Sequence, residues 1–325
     1  MTGVATLMSG RHAILNDLSP AAVHIGRNYC TPVDVATLRL EFNRIKAVVA
    51  DEFEWLYGTT CDRCGGPATI QYMVWSDVYE CGRCQKELVL WDVAVDHDTN
   101  IVLDELTCPD CGASWRKTQL RWLNSVPVLT NYECQNCRPK RTNRQTTDEE
   151  KARIGEIAAD PVPYWYPTDP FREEEWEMWR GVHRDQGITD LSRFFRPQNL
   201  RAFSRLWYEF GQVRDVAIRE KLRFALTGST SQVTKMTIFM LDGSGRGHRK
   251  GTLYIPSLGI EQNVLGVVER RLSRIIDYWR EQKVSGSLVT SVGSATNLLE
   301  TPDSSIDYIF TDPPFGSNIF YADCN

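Results

Sequence analysis

Four residues near the end of the chain, Asp312-Pro313-Pro314-Phe315, have the types needed to hold an exocyclic amine of a planar ring. The two prolines fix φ and donate no hydrogen bond, so the Asp312 carboxylate and the neighbouring carbonyl groups act as acceptors. An amine has two hydrogens to donate, and Phe315 offers an apolar face on which a base taken out of its stack can lie. The pattern predicts a site for a nucleobase amine; the alternative is a Pro-Pro turn that ends a buried strand.

Eight of the ten cysteines fall in four Cys-x-x-Cys knuckles, the spacing of four-thiolate zinc sites. The ligands are Cys61 and Cys64, Cys81 and Cys84, Cys108 and Cys111, and Cys134 and Cys137. Glycines at 65, 82 and 112 follow knuckle cysteines, where a tight turn exposes amides toward sulfur. Disulfides and redox catalysis are the competing interpretations, and Cys30 and Cys324 remain as unpaired thiols.

The spacing predicts two zinc ribbons that use the knuckles in sequence order, although a crossed arrangement stays open. Sixteen residues separate Cys64 from Cys81, and twenty-two separate Cys111 from Cys134. We expect hairpins between the knuckles, with strands at 68–75 and 77–80 in the first ribbon. Two Zn²⁺ ions per chain follow from this pattern.

A basic patch interleaved with aromatic residues lies between Trp115 and Arg144. The segment contains seven basic side chains and a single acidic one, Glu133. The cations are Arg116, Lys117, Arg121, Arg138, Lys140, Arg141 and Arg144. Such a patch on the second ribbon favours phosphate contacts with DNA or RNA, and an ordinary solvated face is the alternative.

The Asp-Pro-Pro-Phe run, the strand-like Ile306–Phe310 before it and the turn at 293–298 together resemble the amino-methyltransferases that modify adenine N6 or cytosine N4. At the other end of the chain, the pattern of residues 11–17 predicts a strand that ends in Asp17. An acid at that place in a nucleotide-binding sheet accepts hydrogen bonds from ribose hydroxyls. The alternative is an acid that caps the helix beginning near Pro20.

The resemblance implies S-adenosyl-L-methionine as cofactor, with cofactor contacts from Thr2, Asp17, Ser19 and Asp312. It also implies that Asp312 and the Pro313 carbonyl hold the target amine, with Pro314 and Phe315 completing the catalytic tetrapeptide. Positioning would do most of the catalytic work.

Members of this family place an Asp-Pro-Phe-x-Gly-x-Gly turn just ahead of the helix start that Thr2-Gly3 resembles. The chain begins where that turn would end. From the resemblance we expect an internal fragment of a larger methyltransferase, with no or almost no activity alone.

The expected fold is α/β: an incomplete Rossmann-like methyltransferase sheet with an inserted double zinc-ribbon domain of small β type. We predict the N-terminal part of the methyltransferase domain at 1–57 and two zinc ribbons at 58–140. An acidic and proline-rich connector follows at 141–195. A helical and hairpin region for target recognition then occupies 196–285, and the catalytic strand region occupies 286–325. Thr147 and Glu150 form a capping box for a helix to about Ala159. Apolar stripes predict helices at 200–210 and 264–279, and strand patterns occur at 236–241 and 251–255.

The composition provides enough hydrophobic residues for buried cores, and the net charge argues against a uniformly basic surface. The 325 residues are 42% hydrophobic, and the formal net charge is −5. No apolar run reaches the roughly 18–20 residues of a membrane span, so we expect a cytoplasmic protein with no membrane partner. Nucleic-acid contact must then be local.

Three functions from different classes fit these features. The first is a DNA amino-methyltransferase in a restriction or phage-defence setting. The second is the same chemistry on RNA or on a protein side-chain amide. Asp rather than Asn at position 312 favours a nucleic-acid substrate over a protein amide. The third is a non-catalytic zinc-ribbon adaptor that binds nucleic acid.

Overall fold

The computed structural model describes residues 1–172, 179, 181–241, 246–249, 252–298 and 301–312. Two compact units are present, and both are discontinuous in sequence. Unit 1 comprises 1–47, 209–228 and 269–325, and unit 2 comprises 48–208 and 229–268. The region 196–285 is therefore shared between the two units.

The described helices are α1 (Thr2–Met8), α2 (Pro20–Cys30), α3 (Val35–Val48), α4 (Ala50–Tyr57), α5 (Leu90–Val93), α6 (Asp148–Ala159), α7 (Gly181–Asp185), α8 (Pro197–Gly211), α9 (Val216–Thr227), α10 (Thr230–Val233) and α11 (Val264–Glu281). The described strands are β1 (Ala13–Asp17), β2 (Gly58–Thr60), β3 (Pro67–Glu80), β4 (Glu87–Val89), β5 (Val95–Asp96), β6 (Ile101–Val102), β7 (Glu105–Thr107), β8 (Ser114–Arg116), β9 (Arg121–Glu133), β10 (Arg141–Gln145), β11 (Ile238–Phe239), β12 (Arg246–Gly247), β13 (Leu258–Gln262) and β14 (Leu288–Val292). Within the described residues, none of these helices is both long enough and apolar enough to cross a membrane.

Unit 1 contains one parallel strand pair, β1 with β14, in the register Ala13↔Leu288 to Asp17↔Val292. One face of the pair packs on an apolar cluster around Leu7 and Cys30, which are 1% and 3% exposed. On the opposite face, Ile14 and Val289 are 43% and 56% exposed. The alternation of buried and exposed residues follows from the two-residue period of a strand.

Helix α2 begins where the sequence signals indicate. Ser19 is the N-cap residue, and its hydroxyl accepts a hydrogen bond from the backbone N–H of Ala22 at 3.2 Å. Pro20 occupies the first helical position, where its missing N–H costs nothing. The cap is therefore Ser19 rather than Asp17.

Unit 2 is built on an eight-stranded antiparallel sheet with the main order β10-β9-β3-β13-β11-β12; β2 and β4 also pair with β3. Strand β3 contacts β9 along almost its whole length, from Thr69↔Glu133 to Glu80↔Arg121. Residues Met73 to Tyr79 of β3 are all buried, because both faces of the strand are covered. The two strands form the centre of the unit.

The capping box of α6 is confirmed, and its acid has a second role. The Thr147 hydroxyl accepts from the Glu150 N–H, and the Glu150 carboxylate accepts from the Thr147 N–H. Glu150 also accepts a bidentate pair of hydrogen bonds from Arg144, at 2.7 and 3.0 Å. The side chains of Arg144 and Glu150 are 11% and 3% exposed, so α6 is fastened to β10 by a buried ion pair.

A second group of charges lies around Trp75 on β3, with Glu261 buried and Arg196 half-buried. The Arg196 guanidinium lies 3.7 Å from the centre of the Trp75 ring, and the Trp75 Nε1–H donates to Glu261 at 2.9 Å. Desolvation lowers the pKa of Arg196 to about 10, although the charges of Glu261 and Asp77 oppose that shift. Burial raises the pKa of Glu261, against the opposing charge of Arg196. Cation and anion thus stabilise each other inside the unit.

The predicted helices at 200–210 and 264–279 are confirmed as α8 and α11. Of the strand predicted at 236–241, only the two residues of β11 are in a strand. The strand predicted at 251–255 is wrong for its described residues, 252–255. Strand β13 lies just beyond, at Leu258–Gln262, where it pairs with β3. The antiparallel partner, rather than local propensity, decides where this strand begins.

We predict that Arg144→Met destabilises unit 2 by about 3 kcal/mol, because it leaves the buried Glu150 carboxylate without its cation. Urea unfolding at pH 7 measures this, and Arg141→Met is the matched control. Arg141 pairs with Glu133 at the surface with 57% of its side chain exposed, so its loss costs below about 1 kcal/mol.

The difference between Arg144→Met and the unaltered chain should also shrink in acid. Burial raises the pKa of Glu150, but hydrogen bonds from Arg144, Thr59 and the Thr147 N–H outweigh it and leave the pKa below its ordinary value. A carboxylate with a lowered pKa stabilises the fold above its ordinary pKa of about 4.3, and that stabilisation is lost as pH falls further. Equal urea midpoints for Arg144→Met and the unaltered chain at pH 7 would show that the Arg144–Glu150 pair does not stabilise unit 2.

Candidate functional site

The eight knuckle cysteines form two groups of four, and the four sulfur atoms of each group lie within 4.8 Å of one another. Metal site A consists of Cys61, Cys64, Cys134 and Cys137. Metal site B consists of Cys81, Cys84, Cys108 and Cys111. The chain can therefore hold two metal ions in all-cysteine sites, which is compatible with zinc.

The pairing of β3 with β9 explains this grouping. The first knuckle precedes β3 and the fourth follows β9, and in an antiparallel pair the start of one strand lies beside the end of the other. The second knuckle follows β3, and the third lies ahead of β9 in the chain. The 14 residues of β3 span about 45 Å, so sites A and B occupy opposite ends of one ladder.

The prediction that the knuckles pair in sequence order is wrong, and the open alternative of a crossed arrangement holds instead. We expected two strands between Cys64 and Cys81, but one continuous strand carries those cysteines far apart. The sequence contains a signal: no glycine or proline occurs between Ala68 and Glu80, and Ser76-Asp77 is the only pair of turn-favouring residue types there.

Sulfur positions in both sites suit a tetrahedral ion. Sulfurs about 2.3 Å from a zinc ion at tetrahedral angles lie about 3.8 Å apart. In site A the Cys61–Cys137 and Cys64–Cys134 sulfur distances are 3.8 and 3.6 Å. In site B the Cys81–Cys111 and Cys84–Cys108 distances are 3.8 and 3.5 Å. Four protein ligands leave no open position for substrate, so the geometry is that of a structural centre.

Three of the four knuckles share one backbone turn. The N–H at the fourth residue after the first cysteine donates to the carbonyl of that cysteine, with N–O distances of 2.8 to 3.0 Å. That fourth residue has a left-handed φ: 68° at Gly65, 63° at Gln85 and 71° at Gly112. Two of the three predicted glycine positions therefore carry the turn, whereas in the second knuckle Gln85 takes it.

Gly82 serves a different purpose, because it makes room for an aromatic ring. A Cβ atom at this position would lie 3.1 Å from the Trp115 ring, closer than ordinary packing allows. Trp115 thus packs directly against the second knuckle, and Leu88 and Leu120 complete an apolar cluster around the cysteines of site B.

Site A has a more polar surround. The buried Tyr132 hydroxyl donates to the Asp62 carboxylate and lies 3.7 Å from the Cys61 sulfur. The Arg144 guanidinium lies 5.2 Å from the centre of the Tyr132 ring. Arg144, which holds α6 to β10 through Glu150, therefore also packs against the tyrosine that contacts metal site A.

Thiol ionisation in each site depends on its neighbours. Backbone N–H groups of Cys84 and Arg83 lower the pKa of Cys81 to about 6. The neighbouring Cys64 sulfur and desolvation raise the pKa of Cys137 to about 12. Four thiols this close cannot all ionise without a cation, so metal binding releases protons and weakens as pH falls.

The basic residues predicted for nucleic acid divide between the two ends of the ladder. Arg138, Lys140 and Arg141 are exposed beside site A, and Arg116, Lys117 and Arg121 are exposed beside site B. The prediction of one patch on one ribbon is therefore wrong, because it depended on sequential knuckle pairing.

Several of these cations already have protein partners. Arg121 makes a bidentate pair with Glu80 at 2.8 and 3.0 Å, and Arg141 contacts Glu133 at 2.7 Å. Arg144 is paired with Glu150 and has 11% of its side chain exposed, so it is not one of the exposed cations, and its phosphate contact stays a prediction. Residues 58–145 contain 10 basic and 11 acidic side chains, and a divalent ion with four thiolates adds about −2 at each site. This part of the chain is therefore not basic overall.

The cofactor residues predicted in unit 1 lie around the β1–β14 pair and α1. Asp17 is exposed at the carboxyl end of β1, and one of its carboxylate oxygens accepts from the Ser19 N–H at 2.8 Å. Ser19 is buried as the cap of α2, so its hydroxyl is already engaged. Thr2 is exposed at the first position of α1.

Asp312 is exposed, and Pro313, Pro314 and Phe315 lie outside the described residues, as does Cys324. The predicted strand Ile306–Phe310 is not formed: it has no strand partner in the part of the chain that is described, and its apolar side chains are 41–77% exposed. A strand requires a hydrogen-bonding neighbour, which local sequence cannot supply.

Sequence reasoning missed three residues at the carboxyl ends of β1 and β14. The Asn16 amide donates to the Gly293 carbonyl, and the Ser291 hydroxyl donates to the Asn16 carbonyl oxygen, each at 2.8 Å. The available signal was the position of Asn16, one residue before the acid that ends the strand. Its partners could not be found without the parallel register, since they lie about 275 residues away.

We predict that Cys64→Ser with Cys137→Ser leaves about one zinc ion per chain, because both substitutions fall in site A. Cys64→Ser with Cys84→Ser is the matched control; it damages sites A and B together and should leave almost no bound zinc. Metal analysis of the purified proteins by mass spectrometry measures both. Sequential pairing gives the reverse result, with zinc retained only in the control.

No protein-family model, curated protein or solved structure matches this chain. Two features of the chain bear on its function: the all-cysteine sites of unit 2 and the paired strand ends of unit 1.

Proposed function

We propose that this chain belongs to an enzyme that transfers a methyl group from S-adenosyl-L-methionine to an exocyclic amine of adenine or cytosine in DNA. The observation that carries the proposal is the parallel pairing of β1 with β14. It joins two of the parts of the sequence on which the methyltransferase resemblance depends, the strand that ends in Asp17 and the turn at 293–298, although more than 250 residues separate them.

Parallel pairing is informative because it aligns the carboxyl ends of the strands. In α/β sheets, ligands bind in the crevice outside those ends. Here Asp17 ends β1 and the turn that begins at Gly293 follows β14, so an acid and a turn lie at the same edge. The exposed carboxylate of Asp17 has the chemistry to accept hydrogen bonds from two ribose hydroxyls.

The cofactor supplies an electrophilic methyl group on a sulfonium centre. In the proposal Asp17 binds the ribose, while the Asp312 carboxylate and the Pro313 carbonyl orient the target amine. Transfer of the methyl group to the lone pair of the amine nitrogen would break the C–S bond and release S-adenosylhomocysteine and one amine proton, so no nucleophilic cysteine is needed. A Rossmann-like sheet around this site is part of the proposal; the described residues contribute one parallel pair to it.

In the proposal both all-cysteine sites bind zinc and have a structural role. Site A ties the start of β3 to the end of β9, and site B ties the opposite ends. The exposed cations beside each site then contact the DNA backbone, with Arg138 and Lys140 at site A as the main candidates. Their side-chain hydrogen bonds go to the protein's neutral oxygens, whereas Arg121 and Arg141 are held by carboxylates.

A non-catalytic zinc-ribbon protein is the second candidate function. The observation that favours it is the exposure of Asp312 and of the unpaired run before it. The same chemistry on RNA or on a protein amide is distinguished by the substrate that becomes methylated.

We predict that Asp312→Ala, introduced into the gene that encodes this chain, lowers methylated adenine or cytosine in cellular DNA by about 100-fold or more, because the amine is no longer positioned. Mass spectrometry of nucleosides from cells expressing the gene measures this. Asp307→Ala is the matched control, since that exposed acid precedes the tetrapeptide and should leave methylation unchanged.

Methylation found in RNA but not in DNA would move the proposal to its RNA alternative. No methylated nucleoside attributable to the gene in either nucleic acid would leave the zinc-ribbon protein as the better explanation.

We predict that Arg138→Gln with Lys140→Gln weakens binding to duplex DNA and lowers the slope of log affinity against log salt by about 2, since two phosphate contacts are lost. Fluorescence anisotropy at several salt concentrations measures the slope. Arg121→Gln with Arg141→Gln is the matched control, and it should change the slope less because Glu80 and Glu133 already neutralise those cations. Equal slopes for all three proteins would contradict DNA contact at site A.

A further inference from the structure

The Asn16 side chain connects the two strands of unit 1 at their carboxyl ends. Its Nδ2 donates to the Gly293 carbonyl, and its Oδ1 accepts from the Ser291 hydroxyl, both at 2.8 Å. Asn16 is half-buried and lies on the sheet face opposite the Leu7 cluster. One amide group therefore uses its donor and its acceptor on the neighbouring strand and the turn that follows it.

The turn after β14 is fixed from two directions. The Gly293 N–H donates to the Asp17 carbonyl at 2.9 Å, and the Gly293 carbonyl accepts from Asn16. Beyond it, the Thr296 N–H donates to the Ser294 hydroxyl oxygen at 3.2 Å, which orders the next residues. The peptide groups on both sides of Gly293 are thus held by consecutive residues of β1.

The Asp17 side chain is fixed on the other side of the same edge. Its carboxylate accepts from the Ser19 N–H, and Ser19 in turn caps α2. A five-residue parallel pair has few other hydrogen bonds to keep its ends together. The distance between the Asp17 carboxylate and the turn at 293–296 consequently depends on two bonds, the Gly293 N–H to the Asp17 carbonyl and the Asn16 amide to the Gly293 carbonyl. Of the two, only the second is made by a side chain.

We propose that Asn16 is a positioning residue: it locks the turn at 293–296 to the strand that carries Asp17 and so sets the width of the nucleoside-binding crevice. The inference rests on the proposed function, because it takes Asp17 as the ribose acceptor. Asn16 itself does not contact the ligand; it acts through Gly293 and through the backbone of its neighbour. An error of about 1 Å in such a crevice is enough to lose much of the binding.

The test uses Asn16→Asp, which keeps the side-chain shape but cannot donate from its ionised carboxylate to the Gly293 carbonyl. Amide hydrogen exchange across 293–296, measured without ligand, should become about tenfold faster. Calorimetry with S-adenosylhomocysteine should show about tenfold weaker binding, while the global urea midpoint stays nearly unchanged. Ser291→Ala is the matched control: it removes the hydroxyl that donates to Asn16 but keeps the bond to Gly293, so both changes should be smaller.

Asp17→Ala separates the inference from the proposed function. It should weaken S-adenosylhomocysteine binding without faster exchange at Gly293, because the backbone carbonyl that holds the Gly293 N–H remains.

If amide exchange across 293–296 is unchanged in Asn16→Asp, then Asn16 does not hold this turn, whatever the affinity for S-adenosylhomocysteine. Faster exchange with unchanged affinity overturns the positioning role. If the unaltered chain does not bind S-adenosylhomocysteine, the proposed function fails and the positioning role fails with it, whereas the exchange data still decide whether the lock exists.

Discussion

Continuous pairing of β3 with β9 is the constraint on which the organisation of unit 2 depends. Because β3 runs without a turn from Pro67 to Glu80, the knuckles at its two ends cannot meet, and each must take its partner from the opposite end of β9. The metal sites, the division of the basic residues and the position of β10 beside site A all follow from this ladder. The same ladder buries Trp75, which gives Arg196 and Glu261 their packing.

Local signals in the sequence were sufficient for single elements. The Thr147–Glu150 box gave α6, Ser19-Pro20 gave the start of α2, and the apolar stripes gave α8 and α11, because each pattern acts within a few residues. The identity of the eight metal ligands could also be predicted, since the Cys-x-x-Cys spacing is itself the geometric requirement.

Relations between distant residues could not be predicted in the same way. Which knuckles share an ion depends on strand pairing, and the hairpin predicted in 68–80, where no glycine or proline occurs, led to the wrong grouping of the cysteines. Arg144 looked like part of a basic patch because its partner, Glu150, is assigned by the sequence to a capping box. The partners of Asn16 could not be predicted, since Ser291 and Gly293 become its neighbours only through the parallel register. Charge and hydrogen-bond partners are properties of the fold, whereas caps and knuckles are properties of a short segment.

The placement of sites A and B at opposite ends of one ladder has a consequence for how the chain acquires its ions. The two centres share no ligand and are separated by the length of β3, about 45 Å for an extended strand of 14 residues, so filling one changes the electrostatic field at the other very little. What connects the two loading steps is the shared ladder, because metal binding at either end favours the folded strand pair. Under metal scarcity the population includes singly loaded molecules in which metal holds one end of the ladder and not the other.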